Sequence, residues 1–132
     1  MCRSSLLILL IASFCWSASA AEPTCVDIKV LAKTSASLIG TSVATHGCLV
    51  NSPHGSFIEP CGSNDWHELT PVSDPNYLVG AAFGELGIDF SYNVEGDFIG
   101  VIVEETSNWP EPGQKRIAIR LDSLANSKPY EP

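Results

Sequence analysis

Five side chains in this sequence have the chemistry to hold a transition metal: His46, Cys48, His54, Cys61 and His67. Imidazole and thiolate are the ligands that zinc and copper favour. Their spacing is not that of a compact metal site. His46 and Cys48 share one face of an extended segment, but His54 lies at a turn farther along the same hairpin. No cofactor or metal is therefore expected, and a site of His46, Cys48, Cys61 and His67 is the alternative. A second group is Asp65-Trp66-His67-Glu68, where carboxylates flank a histidine and an acid–base role suggests itself. No serine or cysteine nucleophile has an identifiable partner, so no catalytic residue is expected and the segment reads as the exposed start of a strand. Trp109 stands in the loop NWPEPGQ. A tryptophan held there is either an exposed binding anchor or a cap folded onto one end of the core. Trp66, His67 and Trp109 are the candidate ligand-binding residues. Glu104, Glu105, Glu95 and Asp97 lack the spacing of a calcium loop and read as solvated strand ends.

The elements that must position these residues are mostly strands. Residues 41–52 carry Val43, Thr45, Cys48, Leu49 and Val50, and Gly47 interrupts them as a glycine does where a strand bends or bulges. Pro53-His54-Gly55 is a turn, read as a three-residue hairpin loop. Residues 56–61 return as the second strand, Gly62-Ser63-Asn64-Asp65 turns again, and residues 66–72 form a third. Asp74-Pro75 starts a helix, since proline suits the first helical position. Leu78, Val79, Ala82, Phe83 and Leu86 follow at helical spacing, and Gly87 ends it. Residues 97–105 are apolar on both faces, which predicts a central strand. Residues 116–122 alternate, with Ile117, Ile119 and Leu121 inward. The lead-in at 22–40 is ambiguous: Val26, Ile28 and Val30 alternate like a strand, and Leu31 to Leu38 suit a helical turn. The tail after Leu124 reads as frayed.

The disulfide expectation depends on the hairpin register. A two-residue loop of His54-Gly55 would put Cys48 opposite Cys61. The three-residue loop puts Cys48 opposite residue 60, and Cys61 then needs a bulge at Pro60. Cys48–Cys61 is the candidate bridge, and pairing of Cys25 with either remains open.

Three strands, a helix and two strands, with a long first strand broken by glycine, resemble the OB-fold, a five-stranded Greek-key barrel. The residues that carry the likeness are Ser37-Leu38-Ile39-Gly40-Thr41-Ser42-Val43 followed by Gly47-Cys48-Leu49. Phe98-x-Gly100-x-Ile102-Val103 and Ile117-x-Ile119-x-Leu121 carry it near the end. These resemble small exported bacterial proteins of that fold. The resemblance implies a mainly β, OB-like five-stranded barrel over residues 41–124, with one helix between strands three and four. It also implies ligand binding on the face of strands two and three, beside the Pro53-His54-Gly55 turn and the Trp109 loop.

The ends and the charge bound the function. Arg3, the uncharged apolar stretch of residues 6–15 and Ala18-Ser19-Ala20 read as an export signal over residues 1–20. The stretch is too short to span a bilayer, which takes about 20 apolar residues. Residues 21–40 form the lead-in and 125–132 a flexible tail. The full chain carries −8; loss of Arg3 leaves six basic against fifteen acidic side chains, or −9. Phosphate backbones are neutralised by clustered lysine and arginine, and the one adjacent basic pair is Lys115-Arg116. Nucleic acid is therefore excluded as a partner, and no membrane span is expected. The expectation is a monomeric periplasmic or secreted non-enzymatic module for an unknown protein or small polar ligand, such as an inhibitor or immunity-type protein for a basic partner. A metal-binding or small hydrolytic protein centred on His46, His54 and His67 is the alternative.

Overall fold

The computed structural model describes residues 22–73, 93–107 and 111–131. The expected export signal, the expected helix at 75–86 and Trp109 lie outside the described residues. Within them the chain is mainly β: β1 (Thr24–Cys25), α1 (Ile28–Thr34), β2 (Ser42–Ser52), β3 (Gly55–Glu59), β4 (Thr70–Ser73), β5 (Asn93–Ser107) and β6 (Gln114–Tyr130). Short 3-10 turns follow α1 at Ser35–Leu38 and precede β4 at Trp66–Glu68. The strands hydrogen-bond in the order β1-β2-β3-β4-β6-β5, and β5 pairs back onto β2. The sheet therefore closes in a ring, with β1 laid in parallel beside the first half of β2.

Side-chain alternation explains the closure. Val43 and Leu49 on β2, Ile58 on β3, Val72 on β4, Val94, Phe98 and Ile102 on β5, and Ile119 on β6 are buried together as one core. Phe98 is the largest of them and is fully enclosed. β5 is central as predicted, pairing with β2 on one side and β6 on the other. Its outward residues Ile99, Val101 and Val103 are half-buried. Gly47 lies inside the unbroken β2 where a side chain would not fit: a Cβ there would stand 2.9 Å from the Glu59 carbonyl oxygen and 3.0 Å from Ile58 Cγ2.

The lead-in resolves into a helix. Asp27 caps α1, its Oδ1 accepting from the Lys29 backbone N–H at 2.8 Å, which satisfies one of the open donors of the first turn. Ile28, Leu31 and Ser35 are buried at helical spacing, so Ile28 belongs to a helix face and the Val26-Ile28-Val30 alternation is no strand.

Three other expectations are corrected. The β2–β3 turn has two residues, Pro53 and His54, because Ser52 pairs with Gly55 and Cys48 with Glu59. Proline fixes the first turn position, and Gly55 takes the positive φ of 124° that closes the loop one residue earlier than expected. The third strand begins at Thr70, since Asp65 caps a 3-10 turn over Trp66–Glu68 instead. The tail is not frayed: Lys128, Pro129 and Tyr130 pair with Glu95, Val94 and Asn93. A register shift lets β6 continue past Asp97, with Asn126 in the left-handed region at φ 53°.

Candidate functional site

Successive residues of a strand face opposite sides, so the partners of His46 and Cys48 share their outer face. Register places Asp97 opposite His46 and Glu95 opposite Cys48 on β5, with Lys128 opposite Glu95 on β6. The side chains follow. His46 Nδ1 lies 2.8 Å from Asp97 Oδ1, and His46 Nε2 lies 3.1 Å from Glu95 Oε1. Lys128 Nζ reaches Glu95 Oε2 at 3.1 Å, and Asn126 Nδ2 donates to Asp97 Oδ2 at 2.7 Å. Asn126 makes this bond from a left-handed backbone position.

The electrostatics follow from these contacts. An imidazole held by two carboxylates favours its doubly protonated form. The Asp97 bond raises the His46 pKa above its ordinary value, partial burial opposes it, and the Glu95 bond adds to the rise. The Asn126 amide does most to lower the Asp97 carboxyl, and His46 contributes. Glu95 is lowered by His46 and then Lys128. Glu59, on the other side of Cys48, is pushed up by burial and then by Glu68. Glu95 and Asp97 are thus members of a network rather than the solvated strand ends expected of them.

Cys48 and Cys61 form a disulfide, with Cα atoms 5.0 Å apart. The register explains it without a bulge inside the strand. With Cys48 opposite Glu59, Cys61 stands two residues beyond on the same face, and the turn after Pro60 brings it back over Cys48. Cys48 is fully buried and Cys61 exposed. Cys25, expected as the odd thiol if these two paired, is disulfide-bonded as well.

Beyond Cys61 the loop is tightly self-bonded. Ser63 Oγ donates to Glu68 Oε2 at 2.5 Å and accepts from the Asp65 N–H at 3.2 Å. Asp65 Oδ1 accepts from the His67 N–H at 2.9 Å. Trp66 projects from this frame with 71 % of its surface exposed, and His67 packs against it with ring centroids 3.5 Å apart. Of the expected binding residues, Trp66 and His67 therefore stand together.

The three histidines do not converge. His54 occupies the tip of the β2–β3 turn, eight residues from His46, or about 26 Å along an extended strand. His67 sits in the 3-10 turn after Cys61, packed against Trp66. With their sulfurs bonded to each other, Cys48 and Cys61 offer no thiolate. Sequence reasoning did not bring Glu95 and Asp97 to His46. The pairing of β2 with β5, which the sequence alone does not state, is what brings them together.

A cleft of about 390 Å³ opens between α1 and the start of β4, lined by Ala32, Ser35, Pro71, Lys115 and Arg116 among others. Its cations are engaged: Lys115 Nζ pairs with Glu104 at 3.3 Å and Arg116 Nη2 with Glu105 at 2.8 Å. Among the described residues no helix is long and apolar enough to cross a membrane. Comparison with protein-family models, curated proteins and solved structures returns no match.

Proposed function

We propose that this chain is an exported, monomeric, non-enzymatic binding module that presents Trp66 and His67 to a basic protein. The observation that carries the reading is the 71 % exposure of Trp66 on a loop fixed by the Cys48–Cys61 bridge and its own hydrogen bonds. A large aromatic anchor that is already ordered loses little conformational freedom on binding, which is how hot spots combine area with affinity. Acidic side chains surround it, with Asp65, Glu68 and Glu59 close in sequence or register. That sign, on a chain of net charge −8, steers toward a basic partner. An inhibitor or immunity-type role against a basic secreted enzyme fits both features.

The scaffold reads as an OB-like barrel. Supporting this are the ring order β2-β3-β4-β6-β5, the long strand β2 that pairs with both β3 and β5, and the parallel pairing of β4 with β6. The disulfide fits an oxidising compartment, and the signal-like residues 1–20 supply the route there.

The test is affinity capture of basic secreted proteins by immobilised wild type and by Trp66→Ala, with Val30→Ala as a second exposed apolar control. The reading predicts a partner held by wild type and by Val30→Ala, lost from Trp66→Ala, and released by moderate salt. Equal capture by all three would remove Trp66 from the function.

A further inference from the structure

We propose that Cys48, Cys61, Glu95 and His46 form a zinc-class metal site when the Cys48–Cys61 bridge is reduced, so that these two cysteines carry either a disulfide or a metal ion. This goes beyond the binding role of Trp66 and does not depend on it. The two sulfurs and one Glu95 carboxylate oxygen all lie within 4.8 Å of one another. Two thiolates, one carboxylate and one imidazole form a ligand set that zinc accepts in tetrahedral geometry.

The two sulfurs and Glu95 are already grouped, and His46, which stands outside that group, is bonded to Glu95. Zn–S bonds of about 2.3 Å at tetrahedral angles set two sulfurs about 3.8 Å apart. That is close to van der Waals contact between sulfurs, so reduction alone moves them most of the way. Zn–N and Zn–O bonds of about 2.0 Å place nitrogen and oxygen about 3.3 Å apart. His46 Nε2 and Glu95 Oε1 already stand 3.1 Å apart. The metal would take the place of the proton that now links them.

The surrounding residues hold the imidazole as metal centres require. A ligating histidine usually donates its other ring N–H to a carboxylate, which fixes the tautomer and the ring. His46 Nδ1 makes that bond to Asp97, and Asn126 holds Asp97 in turn. These bonds hold the ring beside Glu95, and Nε2 must swing from there toward the sulfurs to bind the ion. The protein scaffold supplies the rest: β2 carries His46 and Cys48, β5 carries Glu95, and the turn after β3 carries Cys61.

The chemistry balances with a thiol or phosphine reductant as the named co-reactant. A thiol reductant attacks Cys61, the exposed member, and releases the buried Cys48 as thiolate. A second equivalent of thiol frees Cys61 and leaves the reductant oxidised to its own disulfide. The zinc ion then binds two thiolates with release of the protons that the thiols and His46 carried. A low-molecular-weight disulfide reverses this by thiol exchange, taking up the two electrons and leaving as two thiols while the bridge closes and the ion departs.

Cobalt(II) reports the site directly. The full-length chain would be reduced with a phosphine, desalted without oxygen, and titrated with cobalt(II) and then zinc. The proposal predicts one ion per chain, a sulfur-to-cobalt charge-transfer band, tetrahedral visible bands, and displacement by zinc. The oxidised chain should show none of these. Glu95→Gln and His46→Ala should each weaken binding by at least about tenfold, and Asp97→Asn by about tenfold through loss of imidazole orientation. Cys25→Ser should bind as wild type does. A reduced chain that takes up no cobalt sinks the proposal, as does equal affinity in the Glu95 and His46 variants. Circular dichroism covers the remaining outcome: strand signal lost on reduction and not restored by zinc also overturns it.

Discussion

Two polar regions meet at the Cys48–Cys61 bridge, and they are organised in opposite ways. On the outer face of β2, β5 and β6, charged groups answer one another across strands: His46 to Asp97 and Glu95, Lys128 to Glu95, Asn126 to Asp97. In the loop that carries Trp66, the hydrogen bonds are local, running from Ser63 to Glu68 and from His67 to Asp65. Long-range bonds tie strands to a fixed register. Local bonds stiffen a loop while leaving its aromatic side chain outside the network. The first arrangement therefore suits a site built into the wall, and the second suits a surface that meets another molecule.

That contrast can be broken at several levels. The deepest is the core under both regions. Phe98→Ala should cost about 3–5 kcal/mol, because it empties a fully enclosed position. Urea unfolding should show both regions lost in one transition; a separate transition for the 60–69 loop would show that it is not anchored in this core. Next is the bridge. Replacing both Cys48 and Cys61 with alanine should cost about 3 kcal/mol, the loop-closure entropy of a 13-residue separation. Limited proteolysis should then cut the Trp66 loop while the β5–β6 pair stays resistant.

The third level is the proton on His46. Its folded pKa lies above 6.5, so its stabilising contribution is whole below pH 6.5 and fades as pH rises through the folded value. Asp97 and Glu95 are lowered from 3.8 and 4.5, so theirs is whole above pH 4.5 and fades as pH falls through the lowered values. These three groups therefore favour the highest denaturant midpoints between pH 4.5 and 6.5, and the raised Glu59 subtracts a little there as pH climbs from 4.5 through its folded value. His46→Gln should flatten the alkaline limb; an unchanged limb would show that another group drives it. All three side chains meet solvent, so the effect is smaller than that of the bridge. Smallest for stability is Trp66→Ala, within about 0.5 kcal/mol for an exposed side chain. The same change should weaken partner binding by about 2 kcal/mol or more, a shift measurable by titration calorimetry.

Much of this was legible in the sequence. The long strand through Gly47 and the central strand around Phe98 follow from alternation and residue type, which also made Cys48–Cys61 the candidate bridge. What escaped was set by geometry that one residue decides. Pro53 and Gly55 both belong to a turn, but only the backbone shows that the loop spans two residues rather than three. The bridge was foreseen while its register was not: Cys61 reaches Cys48 diagonally, from beyond the end of β3. The tail around Lys128 carries no apolar alternation, and backbone pairing beyond a left-handed Asn126 holds it. At the entrance, the alternation of Val26, Ile28 and Val30 masked the better signal, which was Asp27 as a cap with Ile28, Leu31 and Ser35 at helical spacing. The His46 network was hidden for a related reason. Its members are far apart in sequence, and only the pairing of β2 with β5 makes them neighbours.

One small strand has a large consequence. β4 is four residues long, and two of its residues pair with β3 while two pair with β6. Every other join in the ring is antiparallel, and the β4–β6 join is also among the shortest. β4 is thus the keystone stave: its loss would leave a curled ribbon with a slot along its length. Ser73 helps to wedge it, donating to Glu105, which in turn grips Arg116. Among the described joins, opening of the ring is therefore expected to start beside β4.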